Sequence, residues 1–265
     1  PPVGTLFVQL VFHRSASGKP FLVAEPPREG VCLMTRRLFW EDAYATEFDA
    51  TIASIDGNQV VLDRTAFNPR GGGLVSDTGT LAGVKVLEAI KVGEDSIAHV
   101  LESAASLAVG SEIHGVIEWS RRHRIMRMHT SAHLLSAIFH KQTGALITGN
   151  QIEPEKSRID FSLDDFDREK MLVYCSQANE AITKNPLVKT YFMKREEALQ
   201  IPGITKLASV MPPDVKDLRI VEIEGYDLQA DGGVHVKSLG EISKIEPLKF
   251  ENKGKSNRRM YLTIP

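Results

Sequence analysis

Two histidines four residues apart, in His129-Thr-Ser-Ala-His133, are the first residues able to do chemistry in this sequence. Four residues advance a helix by slightly more than one turn, so both imidazoles leave one face about 5–6 Å apart at Cβ. That spacing lets two nitrogens bind one zinc ion at ~2.0–2.1 Å. Thr130 stands where the general-base Glu of H-E-x-x-H metalloproteases would be, so peptide hydrolysis by that route is unsupported. A second cluster lies far along the chain, Asp227-Leu-Gln-Ala-Asp231-Gly-Gly-Val-His235. Its two glycines free the backbone to turn, so Asp231 and His235 can converge on one ion. Two ligands from a helix and two from a loop make a plausible tetrahedral set: His129, His133, Asp231 and His235.

Other segments offer binding rather than bond-making. Gly71-Gly72-Gly73 permits close backbone approach to a ligand, and its N–H groups can face an anion or a carbonyl. It is not a P-loop, because the Gly-Lys-Ser/Thr ending is absent. Basic residues gather at Arg121-Arg122-His123-Arg124 and again over 244–260, which includes Arg258 and Arg259. Such local density is what phosphate contacts need, whatever the net charge. Thr130, Thr148, Asn150 and Gln151 are candidates for lining a pocket beside the helix.

The elements that must position these groups follow from periodicity. Phe48, Ala50 and Ile52 alternate with polar or small residues, Asp56-Gly57-Asn58 offers a turn, and Val60 and Leu62 resume the period of two. Further strands are predicted around 84–92, 97–101 and 113–119. The pattern then turns mixed. A helix is predicted over 124–141, with Leu134, Leu135, Ile138 and Phe139 on one stripe and Gly144 ending it. A strand at 157–161 precedes a second helix, capped by Ser162 or Asp164 and closed by Pro186. Strands at 187–193 and 218–223 complete the pattern. The expected class is α+β: a small antiparallel β-barrel-like domain over 34–119, then a mixed α/β two-layer domain over 120–265. Residues 1–33 read as a leader or an upstream extension ahead of Met34.

Composition sets the outer bounds. The chain of 265 residues is 42% hydrophobic and 25% charged, with a formal net charge of −2, the balance of an ordinary globular protein rather than a basic nucleic-acid coat. No apolar run approaches the ~18 residues of a membrane span, and the opening stretch lacks a secretory pattern. Two cysteines without a C-x-x-C partner, Cys32 and Cys175, speak against a disulfide framework and for a reducing cytoplasm.

The stretches Trp119-Ser-Arg-Arg-His-Arg-Ile-Met-Arg-Met-His-Thr-Ser-Ala-His-Leu-Leu135 and Arg219-Ile-Val-Glu-Ile-Glu-Gly-Tyr-Asp-Leu-Gln-Ala-Asp-Gly-Gly-Val-His-Val236 resemble the editing domain of alanyl-tRNA synthetase. The resemblance runs from about Met34 to the C-terminus and extends to free-standing relatives, the AlaX proteins. It implies that 120–265 is a zinc-binding editing domain with one Zn2+ per chain. The implied activity is ATP-independent, trans-acting hydrolysis of mischarged tRNA(Ala), bearing serine or glycine, in the service of translation fidelity. It also implies that Gly71, Gly72 and Gly73 close over the aminoacyl end, and that Arg121, Arg122, Arg258 and Arg259 bind the RNA. Two positions depart from the family pattern. Asp231 stands where the family often has Cys, which leaves the fourth ligand as Asp231 or water. Leu74 and Val75 replace a common Gln-Pro. The competing expectation is a non-catalytic tRNA- or RNA-binding module with a structural zinc; a metal-dependent hydrolase of small esters or amides would need no basic patches.

Overall fold

A computed structural model describes residues 10–14, 20–24, 34–93, 95–165, 167–206 and 214–265. The chain divides into two units, 1–34 and 35–265. In the first, Leu10–Arg14 pairs antiparallel with Pro20–Ala24. The expectation for 1–33 otherwise falls outside the described residues, as does Cys32.

The second unit is mixed α/β, with mostly strands and few helices among the described residues. After a short strand (Arg36–Arg37) and a one-turn helix (Leu38–Glu41), six strands make one sheet: β1 (Glu47–Asp56), β2 (Gln59–Leu62), β3 (Gly79–Leu81), β4 (Val84–Val92), β5 (Ser96–Leu101) and β6 (Glu112–Ile117). They pair antiparallel in the order β6-β1-β2-β5-β4-β3, and β3 pairs back onto β6 to close a ring. Phe48, Ala50, Ile52, Val60 and Leu62 are buried, as the period of two requires, and Gly57 turns the chain with φ +56°.

Helix α1 (Trp119–Thr143) follows and begins five residues before the predicted Arg124. The arginines that obscure its start in sequence are good helix formers, and Arg122 lies inside the first turns. Nearly every residue from Ile125 to Phe139 is buried, so α1 is enclosed on all sides rather than along one stripe. Gly144 ends it in the left-handed conformation, φ +74°, donating its N–H to the His140 carbonyl.

Four strands, β7 (Ile147–Gln151), β8 (Ser157–Phe161), β12 (Glu246–Asn252) and β13 (Arg258–Thr263), form a sheet ordered β7-β8-β13-β12. Phe139 of α1 stacks on Phe161 of β8 at 4.2 Å between centroids. Helix α2 (Arg168–Lys184) packs alongside, its Cys175 sulfur 3.6 Å from that of Met260 on β13. The α2 cap is Asp167, whose side chain accepts from the Lys170 N–H, rather than Ser162 or Asp164. A second sheet, β9 (Val188–Lys194), β10 (Asp217–Ile223) and β11 (Asp227–Ala230), carries its own small apolar cluster of Ala198, Ile204, Leu218 and Ile220. The basic stretch over 244–260 is thus largely the β12–β13 hairpin. No helix among the described residues is long and apolar enough to cross a membrane.

One arginine ties the ring to the helix. Arg122 and Asp77 are both fully buried; Arg122 Nε donates to Asp77 Oδ1 at 2.8 Å, and a second guanidinium nitrogen pairs with the other carboxylate oxygen. The remaining donors reach the carbonyls of Ala43 and Ala66. A buried ion pair is tolerable when further hydrogen bonds satisfy its polar atoms, as they do here.

Candidate metal centre

His129 and His133 project from the middle of α1, and β11 runs directly into the Asp231–His235 loop. Helix and loop meet so that one ligand atom each from His129, His133, Asp231 and His235 lies within 4.8 Å of every other. The three imidazole centroids are 4.2–4.9 Å apart. Asp231 Oδ2 is 3.7 Å from His129 Nε2 and 3.8 Å from His133 Nε2, and Asp231 Oδ1 is 3.2 Å from His235 Nε2.

Each ring is held from behind through its other nitrogen. His129 Nδ1 donates to the Val234 carbonyl at 3.2 Å, and His133 Nδ1 donates to Asp227 Oδ2 at 3.2 Å. His235 Nδ1 sits 3.0 Å from Thr130 Oγ1, which also accepts the Val236 N–H. A carbonyl or carboxylate behind Nδ1 leaves the Nε2 lone pair facing inward, the arrangement that orients histidine toward a metal. Asp227 is anchored in turn by buried Lys206, at 2.5 Å, and by Gln229, at 2.7 Å.

The protonation states suit a cation. Burial pushes His129 down to about 4 against the pull of Asp231, and holds His235 well below the usual histidine range. Burial disfavours charge on Asp231, yet the neighbouring His129 and hydrogen bonds from His133 and His235 keep its carboxyl well below the ordinary range. Burial also opposes charge on His133, but Asp227 and Asp231 outweigh it and raise this imidazole to about 9. Neutral His129 and His235 and an anionic Asp231 are the forms that ligate, and cation binding at His133 releases its proton. Three imidazoles and a carboxylate form a donor set that fits zinc among the divalent metals.

The two loop glycines differ in what they permit. A Cβ on Gly232 would stand in ordinary contact with Trp40, 3.7 Å away. A Cβ on Gly233 would fall 2.6 Å from His129 Cε1 and 3.0 Å from Leu74 Cδ2. Gly233→Ala is therefore expected to displace the His129 ring and weaken divalent-metal affinity by about 5- to 150-fold, the size of a 1–3 kcal/mol overpacking cost. Metal titration of the variant checks this; unchanged affinity would mean that the ring yields freely.

Leu74 also connects the Gly-rich loop to the centre. Gly71 and Leu74 exchange backbone hydrogen bonds across a tight turn, and the Gly73 carbonyl accepts the Ile152 N–H. Gly73 has φ +86°, and a Cβ there would overlap Asn150 Oδ1 at 1.5 Å. Gly73 thus stands against Asn150, Gly71 faces Lys91, and the neighbouring Leu74 side chain is the part of this turn that approaches Gly233 and His129. Thr130 is buried behind His235. Thr148 is exposed and bonds Asn257, while Gln151 is exposed and bonds Glu153 and Arg158.

The four arginines are placed unequally. Arg122 is the buried link to Asp77, and Arg121 reaches the Ser76 carbonyl. Arg258 is 4% exposed and directs its guanidinium at backbone carbonyls, including those of Gly254 and Asn257. Arg259 lies on the outer face of the sheet, bidentate to Asp160. Around them, Lys244, Lys249 and Lys253 pair with Glu246 and Glu251.

Sequence reasoning gave no role to Asp227, Gln229, Lys206, Arg219 or Trp40. A signal existed for the first two: β11 alternates buried Asp227 and Gln229 with Leu228 and Ala230, which pack on the smaller cluster. Polar residues on the inward positions of a strand leading into Asp-Gly-Gly point to a hydrogen-bonded site. Arg219 donates to the carbonyls of Asp231 and Gly233, and Trp40 Nε1 to that of Gly232. These partners lie too far off in sequence for spacing to reveal them.

Comparison with known proteins follows the same segments. The family described as "Threonyl and Alanyl tRNA synthetase second additional domain" matches residues 218–261. An alanyl-tRNA editing protein AlaX-M of Saccharolobus solfataricus is 45% identical over 236 residues, covering 87% of this chain and 99% of that protein. The AlaX-M protein of Methanosarcina mazei is 44% identical over 244 residues, 87% of this chain and 97% of that one. An alanine–tRNA ligase of Ignicoccus hospitalis is 38% identical over 219 residues, 80% of this chain but only 24% of the ligase. Identity at this level across almost the full length of the AlaX-M relatives shows that the chain belongs to the AlaX-M family of alanyl-tRNA editing proteins.

Proposed function

We propose that this protein is a zinc-containing aminoacyl-tRNA deacylase that acts in trans on mischarged tRNA(Ala), releasing serine and also glycine. The observation that carries the reading is the convergence of His129, His133, Asp231 and His235 with every Nδ1 engaged from behind, in a chain that shares its family with named editing proteins. In this reading the closed ring is a small barrel-like domain over 34–119, and 120–265 is the editing domain. One Zn2+ per chain is held by the four residues. Gly71, Gly72 and Gly73, with Asn150 beside them, cover the aminoacyl end, and Arg121 and Arg259 are the arginines best placed for phosphate. The cytoplasm, where tRNA is charged, is the compartment that this activity requires.

Zinc, when bound, supplies positive charge that polarises the ester carbonyl. The chain's own groups set up the rest. Val234, Asp227 and Thr130 fix the three ring orientations, so no side chain must reorganise as charge develops. Asp231 balances the cation from the solvent side, and the Leu74 turn shields His129. An ester linkage is already activated, so water attack needs little beyond this arrangement.

Serine differs from alanine by one hydroxyl, and a site that hydrogen-bonds that hydroxyl rejects the analogue lacking it. Release of serine from Ser-tRNA(Ala) is expected to exceed release of alanine from Ala-tRNA(Ala) by at least ~100-fold. Glycine, smaller than alanine, enters the same space and is expected to be released as well. Equal rates for serine and alanine would exclude an editing role.

A second reading, an RNA-binding module with a structural metal, draws on the same four donors, which suffice to close a tetrahedral shell. X-ray absorption showing four protein ligands and no open position, together with absent deacylation, would favour it.

A further inference from the structure

The metal centre opens toward solvent on one side. The side chains of His129, His133 and His235 are 10%, 10% and 0% exposed, whereas that of Asp231 is 25% exposed. The next residue, Gly232, is exposed and gives its carbonyl to Trp40 Nε1 at 2.8 Å. The half-buried Trp40 therefore borders the mouth and is bonded to the loop that bears Asp231.

Trp40 is the middle of a short aromatic array. Arg37 lies over its ring at 4.3 Å from the centroid, and Phe192 meets it edge to face at 5.8 Å and 64°. Phe192 is 55% exposed, although its neighbour in the array is a large apolar ring. It stands on β9 directly across from Arg219 of β10, the arginine that grips the Asp231 and Gly233 carbonyls. A single exposed phenylalanine needs no explanation. This one extends an Arg–Trp stack to the rim of a polar site and leaves a π-surface open beside it. Flat aromatic faces with an arginine alongside hold nucleobases without regard to sequence.

We infer that Trp40 and Phe192 form a shelf on which the terminal nucleobase of the acylated RNA stacks while its ester reaches the metal centre. The inference rests on the deacylase reading and names a subsite within it. Phe192 is the exposed member, so it supplies the stacking face; Trp40 and Arg37 hold that face against the ligand loop.

The test uses the full-length, metal-loaded protein and two non-hydrolysable probes. One is 3′-deoxy-3′-(L-serylamino)adenosine, and the other is the same serylamino sugar with hydrogen in place of adenine. By calorimetry the unaltered protein is expected to bind the adenine-bearing probe about 5- to 150-fold more tightly, the range given by one stacked base. Phe192→Ala should bring the two affinities together by weakening only the adenine-bearing probe, and Phe192→Trp should restore the difference. Because Phe192 is exposed, an unchanged melting temperature in both variants is expected and separates stacking from unfolding. Equal affinities in the unaltered protein, no binding of either probe, or a preference that survives Phe192→Ala would each overturn the shelf. Release of serine from Ser-tRNA(Ala) by the unaltered protein, measured separately, shows whether the deacylase reading stands independently of this result.

Discussion

A His133→Ala protein is expected to lose its divalent metal and its deacylation together. The substitution removes one of at most four ligands and leaves Asp227, buried and anchored by Lys206 and Gln229, facing an empty volume. Removing an outer partner of a metal ligand typically costs ~10–100-fold in affinity or activity. Loss of the ligand itself should exceed that range, whereas Asp227→Asn, which retains the shape and weakens the hold on His133 Nδ1, should fall within it. Metal content after dialysis and serine release from Ser-tRNA(Ala), measured on both variants, check the ordering. Full activity in a metal-free His133→Ala protein would remove the metal from the reaction altogether.

Arg122→Met is expected to cost the second unit a large part of its stability. It leaves the Asp77 carboxylate buried at 1% exposure without its guanidinium, and it strips donors from the Ala43 and Ala66 carbonyls. Breaking a buried pair from one side costs about 3–5 kcal/mol. In a domain of 150–250 residues each kcal/mol moves the melting temperature by ~2–4 °C, which gives a fall of roughly 6–20 °C. Adding Asp77→Leu should recover part of it, because the uncompensated charge is then gone. Thermal melts of the two single variants and the pair test this; a single variant that melts like the unaltered protein would show that water reaches the carboxylate.

The centre was legible in sequence where its geometry is local. The four-residue step from His129 to His133 and the Asp-Gly-Gly-Val-His run each specify a shape by themselves, and the structure brings the two runs together. The alternation at Phe48, Ala50 and Ile52 and the stop at Gly144 were legible for the same reason. What stayed hidden depends on distant partners. Arg258 interrupts an otherwise simple inward pattern with Met260 and Leu262, so β13 reads in sequence as part of a basic stretch; its burial is possible because backbone carbonyls and Asn252 Oδ1 surround the guanidinium. Arg122 likewise reads as part of a basic surface until Asp77, 45 positions away, is seen beneath it. Charge in sequence predicts exposure, and it fails where a partner has been folded around it.

The loop from Asp231 to His235 has an unusual tenure. Its consecutive carbonyls at Asp231, Gly232, Gly233 and Val234 are each taken by a side chain: Arg219, Trp40, Arg219 again and His129. Connections between strands ordinarily tolerate insertion and drift in length, because few of their backbone groups are committed. Here one added residue would put the carbonyls beyond the insertion out of step with their donors, and the rise of one peptide unit, ~3.3–3.6 Å, exceeds what any of those hydrogen bonds can absorb. The spacing between Asp231 and His235 is therefore a fixed length rather than a preferred one. A designer wishing to transplant this centre would have to carry over Trp40 and Arg219 along with the four donors.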